Sequence, residues 1–168
     1  LNGAALVSIP VGVVVERRKA TSPWLDFVWR PSAVLPGLPA AEPWTPLGPV
    51  GDITSFFAGT ATIELYRTET ANYIDNISCD EPLLWVVLRP TDRQPPYEVV
   101  AVTADPAEGE AFTEAGNDLV DTVTMPAAIR ETLNAFIAEH HVARPFFKRQ
   151  RDDGGQKTGS RRPQEQKR

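Results

Sequence analysis

Few residues of this 168-residue chain have the types and spacing that chemistry needs. His140 and His141 are adjacent in a helix-like stretch running from Met125 to His141. Neighbours on a helix point about 100° apart, so this pair cannot grip one ion as an i, i+4 pair can. His140 falls on the apolar stripe, three turns after Ile129, where a histidine caps or packs the negative end of a helix. Cys79 is the single cysteine. It excludes an internal disulfide and a multi-cysteine zinc site, and Asp80 beside it opposes a nucleophilic thiolate. There is no Gly-x-Ser-x-Gly elbow. Gly154-Gly155-Gln156-Lys157-Thr158 lacks both the glycine before the lysine and the preceding strand of a phosphate loop. Asn76-Ile77-Ser78 fits a glycosylation sequon, a pattern frequent by chance. The residues therefore predict no catalytic group, no metal and no cofactor.

What remains are residues suited to recognition. Glu16-Arg17-Arg18-Lys19 leads into Trp24, Trp29, Arg30 and Trp44. Either these basic and aromatic residues form one contact patch, or the cations solvate a strand end while the tryptophans cover the core. The second group is Arg144-Pro145-Phe146-Phe147-Lys148-Arg149. Two adjacent phenylalanines in a polar segment must dock on the body or meet a partner. Charge divides near the same place. Residues 1–143 hold eight Lys and Arg against nineteen Asp and Glu, a net −11, while residues 144–168 hold nine against three, a net +6. The acidic body disfavours nucleic acid as a partner. Binding residues are accordingly expected among Arg17, Arg18, Lys19, Trp24, Arg30, Arg144, Phe146, Phe147, Lys148 and Arg149.

Composition bounds the scaffold. Forty-two per cent hydrophobic and 23% charged residues describe one globular domain. Ala4 to Val15 is apolar but well short of the ~20 residues of a membrane helix. Positive charge follows that stretch and does not precede it, so a cytoplasmic protein is expected. The reading along the chain is a flexible residues 1–8, a single domain over 9–147 and a disordered basic tail over 148–168.

Strands are predicted by alternation from Ile9 to Val15, Asp26 to Leu35 and Phe57 to Leu65, with a weaker one over Tyr73–Ser78. Pro31 marks the second as an edge strand or a bulge. Leu83 to Leu88 is apolar on both faces, so it is a central strand, and Tyr97 to Thr103 is the sixth. Five prolines between Pro36 and Gly51 read as a long loop. Asp105, with Pro106 and Glu108, opens a helix that Gly116 ends. Pro126 opens the last helix, with Ile129, Leu133, Phe136 and Ile137 along one stripe. The fold expected is α+β: about six strands in a largely antiparallel curved sheet or partial barrel, with two C-terminal helices, the last one capping the sheet.

Val11-Gly-Val-Val-Val-Glu-Arg-Arg-Lys19, Ser22-Pro-Trp24, Val28-Trp-Arg-Pro31, Phe57-Ala-Gly-Thr-Ala-Thr62, His140-His-Val142 and Pro145-Phe146 resemble an uncharacterised proteobacterial domain family over roughly residues 9–151. Members are commonly encoded beside formate dehydrogenase genes. The resemblance implies a non-catalytic accessory factor in maturation or assembly of a molybdenum-dependent formate dehydrogenase. Its partner would be a dehydrogenase subunit or a cofactor-insertion factor. Members are sometimes labelled molybdopterin-guanine dinucleotide biosynthesis protein A, which implies the alternative of a molybdenum-cofactor nucleotidyltransferase. That class carries a glycine-rich phosphate loop after its first strand, and no such loop follows Val11–Lys19.

Overall fold

The computed structural model describes residues 3–143. Seven strands, three α-helices and one 3-10 turn are found among them. The strands are β1 (Val7–Lys19), β2 (Phe27–Pro36), β3 (Thr45–Val50), β4 (Ile53–Leu65), β5 (Leu83–Pro90), β6 (Tyr97–Thr103) and β7 (Leu119–Thr124). The helices are α1 (Thr70–Ile77), α2 (Pro106–Glu114) and α3 (Ala127–His140), and the 3-10 turn spans Arg67–Glu69. The fold is α+β, but the expected single six-stranded sheet is divided. One antiparallel sheet has the order β2-β1-β4-β3, and a second has the order β6-β5-β7. β4 lies against β6 and β2 against β7, yet among the described residues no backbone ladder joins either pair, so no barrel closes.

β1 is buried on both faces because β-bulges and a loop cooperate. Register slips between Val13 and Val14, so Gly59 opposes Val13 while Phe57 opposes Val14. Phe57 is thereby placed on the face opposite to Gly59, Ala61, Ile63 and Leu65, and the alternation that marks this strand in the sequence breaks at the bulge. Pro39 and Phe57 cover Gly12, where an added Cβ would stand 2.8 Å from the Phe57 ring. Val11, Val13 and Val15 face the main core, all fully buried. Pro31 lies on edge strand β2 beside the slip between Val14 and Val15, where its missing N–H costs no ladder bond.

β5 is the central strand of its sheet, as its apolar run implies. Leu84, Val86 and Leu88 enter the main core, and Trp85 on the other face meets α2 at Gly109. Tyr73–Ser78 is not a strand. Thr70, Tyr73 and Asn76 recur at helical spacing and are the buried face of α1. Phe136 of α3 stacks edge-on to Tyr73 with centroids 6.0 Å apart. Ile129, Leu133 and Phe136 join the same core, so α1 and α3 close the end at which β4 finishes. The cap of α2 differs in detail from expectation. Asp105 accepts from Ala107 N, but Glu108 accepts from the Thr103 hydroxyl and leaves the Asp105 N–H to Thr103 Oγ1.

Candidate functional site: one end of the larger sheet

β1 carries its basic run to the end of the sheet furthest from α1 and α3. Alternation splits the run. Arg17 and Lys19 pair with Trp29 and Phe27 on the inner face, while Glu16 and Arg18 pair with Arg30 and Val28 on the outer face. Arg17, Arg18 and Lys19, which one of the two readings placed in a single patch, thus lie on two surfaces. On the outer one, Arg30 Nε lies 3.8 Å from Glu16 Oε2, and these two residues line a shallow groove with Arg18 and Val28. On the inner one, the Arg17 guanidinium sits 4.3 Å from the Phe27 ring centroid, 5.2 Å from that of Phe56 and 5.8 Å from that of Trp29. Its Nε is buried with no hydrogen-bond partner. The ring faces replace part of the water that the cation loses.

Aromatic packing extends inward from there. Trp29 is bracketed by Trp44 at 5.8 Å, Phe56 at 5.8 Å and Tyr97 at 6.3 Å. Trp29 and Trp44 therefore do the core-covering work that was one of the two readings of the tryptophans. Trp24 does not. It is 89% exposed in the β1–β2 turn, followed by exposed Leu25, Phe27 and Val28. The β3–β4 turn reverses at the same end, since Arg18 pairs with Ile53 and Ile53 with Val50, and Val50 is 82% exposed. Two hairpin tips thus present apolar side chains together, flanked by Arg18 and Lys19. Val50 is not legible as a site residue in the sequence because its strand is hidden in a proline-rich segment.

The other end is acidic. Tyr66 donates its hydroxyl hydrogen bond to Glu64, which holds the phenol above its usual range. Glu108 is also raised, first by desolvation and then by the charges of Asp105, Glu64 and Glu69, while the Thr103 hydroxyl bond works the other way. Tyr73 accepts from the Tyr66 N–H at 2.9 Å and is pushed up to about 12, chiefly by burial. His140 packs its ring on Phe136 at 4.6 Å, and His141 Nδ1 lies 3.0 Å from Thr70 Oγ1. Among the described residues no three ligating side chains gather to hold a metal. β1 runs through a turn into antiparallel β2, so no loop-to-helix phosphate cradle follows it. Arg144, Phe146, Phe147, Lys148 and Arg149 lie outside the described residues.

Fold and site together define an α+β domain of two antiparallel sheets with an apolar, basic-flanked hairpin end. Residues 10–151 match the family model described as Protein of unknown function (DUF3305), and the chain belongs to that family. No curated protein and no solved structure matches it. No helix among the described residues is long and apolar enough to cross a membrane.

Proposed function

We propose that this protein is a non-catalytic binding module whose hairpin end docks on a partner protein. The observation that carries the reading is the joint exposure of Trp24, Leu25 and Val50 on two turns at one end of the larger sheet. Scattered exposed apolar residues are ordinary, but a tryptophan within an apolar group flanked by cations has the composition of an interface centre. Arg18 and Lys19 would supply steering and rim contacts. The resemblance in sequence suggests the partner: a subunit of a molybdenum-dependent formate dehydrogenase, or a factor that inserts its cofactor. The test is co-purification of the tagged protein from cells expressing the dehydrogenase. Wild type should retain a dehydrogenase subunit or insertion factor, and Trp24→Ser together with Val50→Ser should weaken retention by about tenfold or more. Equal recovery with both forms, or recovery of neither partner, would reject the reading.

A further inference from the structure

We infer that Arg17 is the receptor for one carboxylate of the docked partner, an Asp or Glu side chain with apolar residues on either side. The inference rests on the reading of the hairpin end as a docking surface and names the chemistry that surface selects. Arg17 and Lys19 share the inner face of β1, opposite Trp29 and Phe27 of β2, and Thr54 of β4 stands across from Arg17. The rings of Phe27, Phe56 and Trp29 surround the guanidinium. Rings hold a cation in place, but they leave the N–H donors in its plane unanswered. Nε is sealed with no partner, the one such side-chain atom among the described residues. Arg17 as a whole is only partly buried, so its open part is the pair of Nη atoms, and among the described residues no carboxylate pairs with them. Phe27, the nearest ring, is 40% exposed, so the guanidinium stands at the edge of the core and not in its centre.

A guanidinium that has lost part of its water and gained no acceptor is a cost that a purely structural side chain would avoid. Glu16, one residue earlier, faces the other way and pairs with Arg30. Asp26 and Asp52 lie exposed in the two turns, and among the described residues neither forms an ion pair. Water screens those two charges. A carboxylate that displaced water above the rings would instead meet Arg17 in a poorer dielectric, where a forked pair is strongest. The same two aspartates limit what the site accepts, because they repel a dianionic phosphate more than a singly charged carboxylate. Exposed Trp24, Leu25 and Val50 supply the contacts for the apolar neighbours of that carboxylate.

The test is titration of the full chain with hexanoate, beside neutral hexanamide and inorganic phosphate. Binding is read from the Arg17 Nε–H resonance, assigned through its own side-chain carbons; a proton sealed from water exchanges slowly enough to be seen. Hexanoate should shift that resonance and bind about tenfold more tightly than either control. Arg17→Lys keeps the charge but loses the fork, and should remove most of that advantage. Trp24→Ser should weaken hexanoate and hexanamide alike and leave their ratio unchanged, while Arg18→Ala, on the other face, should alter hexanoate affinity by less than about twofold. The wild-type titration decides even where Arg17→Lys does not fold. Equal affinity for hexanoate and hexanamide, tighter binding of phosphate, no shift at Arg17, or loss of hexanoate binding in Arg18→Ala would each overturn the inference. No partner protein enters this titration, so failed co-purification with a clear shift at Arg17 rejects only the named partner, and successful co-purification without that shift rejects only the carboxylate.

Discussion

Two buried side chains hold the structure in ways that predict measurable changes. Asn76 is 3% exposed, and its amide donates to the carbonyls of Leu83 and Ala104 at 2.8 and 2.9 Å while its oxygen accepts from Leu83 N at 3.0 Å. One residue thereby joins α1 to the start of β5 and the end of β6, and its burial leaves no room for a glycan on the sequon. Asn76→Ala should lower stability by about 2–4 kcal/mol, because several buried main-chain groups lose their partner at once. Urea unfolding checks this, and a loss below 1 kcal/mol would contradict it. Tyr73 governs the alkaline limb. Its folded pKa of about 12 exceeds the ordinary value of 10, so the folded state keeps a proton that the unfolded state releases. The stabilising contribution is whole below pH ~10 and is lost as pH climbs to ~12, roughly 2–3 kcal/mol in all. Tyr73→Phe, though less stable at neutral pH for want of the Tyr66 N–H acceptor, should show a flatter decline across that window.

At the scale of elements, sequence pattern was legible where one physical signal acted alone. Tyr97–Thr103 and Leu83–Leu88 read as strands in the sequence, and they are β6 and the core of β5, because alternation and a doubly buried apolar run leave little choice. The first strand begins at Val7, two residues ahead of the expected Ile9. The misses have identifiable causes. Tyr73 and Ile74 favour strands by composition, yet the spacing Thr70, Tyr73, Asn76 is helical, in a helix only eight residues long. β3 holds Pro46 and Pro49, which a central strand would reject and an edge strand accepts. β7 is six residues wedged between two helices, and its pairing with β5 is a long-range fact that no local period announces. The split into two sheets was hidden for the same reason. Of the candidate site, Trp24 and the basic run were legible, but their faces depended on bulges and register.

α2 supplies a prediction at this scale. A Cβ on Gly109 would lie 2.3 Å from the Trp85 ring, far inside any real contact. Alanine gains about 1 kcal/mol in helix propensity, while overpacking costs about 1–3 kcal/mol. The clash with a ring held in the sheet should win. Gly109→Ala is expected to lower Tm by several degrees in a thermal melt; a rise would mean that α2 sits freely on the sheet.

Over the whole molecule, two ends of opposite character share one core. Helices and carboxylates close one end, and aromatic rings around Arg17 fill the other beneath the exposed hairpin tips. Because Trp24 and Val50 lie outside the packed core, Trp24→Ser with Val50→Ser should leave Tm within about a degree or two of wild type. A large drop would mean that these side chains serve packing and would remove the surface from consideration as an interface. The same separation explains why charge totals alone said little: Arg17 contributes to the core, Arg30 is paired with Glu16, and only Arg18 and Lys19 flank the tips.

The chain crosses from the larger sheet to the smaller once, through the segment from Tyr66 to Pro82. All the pairing of the larger sheet therefore lies within the first 65 residues, and a ribosome delivers that sheet complete before β5 has emerged. Until then its inner face, Val11, Val13, Val15 and Ile63, lacks the β5–β7 and α3 side chains that share its core. The strands of the larger sheet are thus all synthesised before its apolar face has a partner layer, the period when the growing chain is most open to capture by chaperones or by other nascent copies.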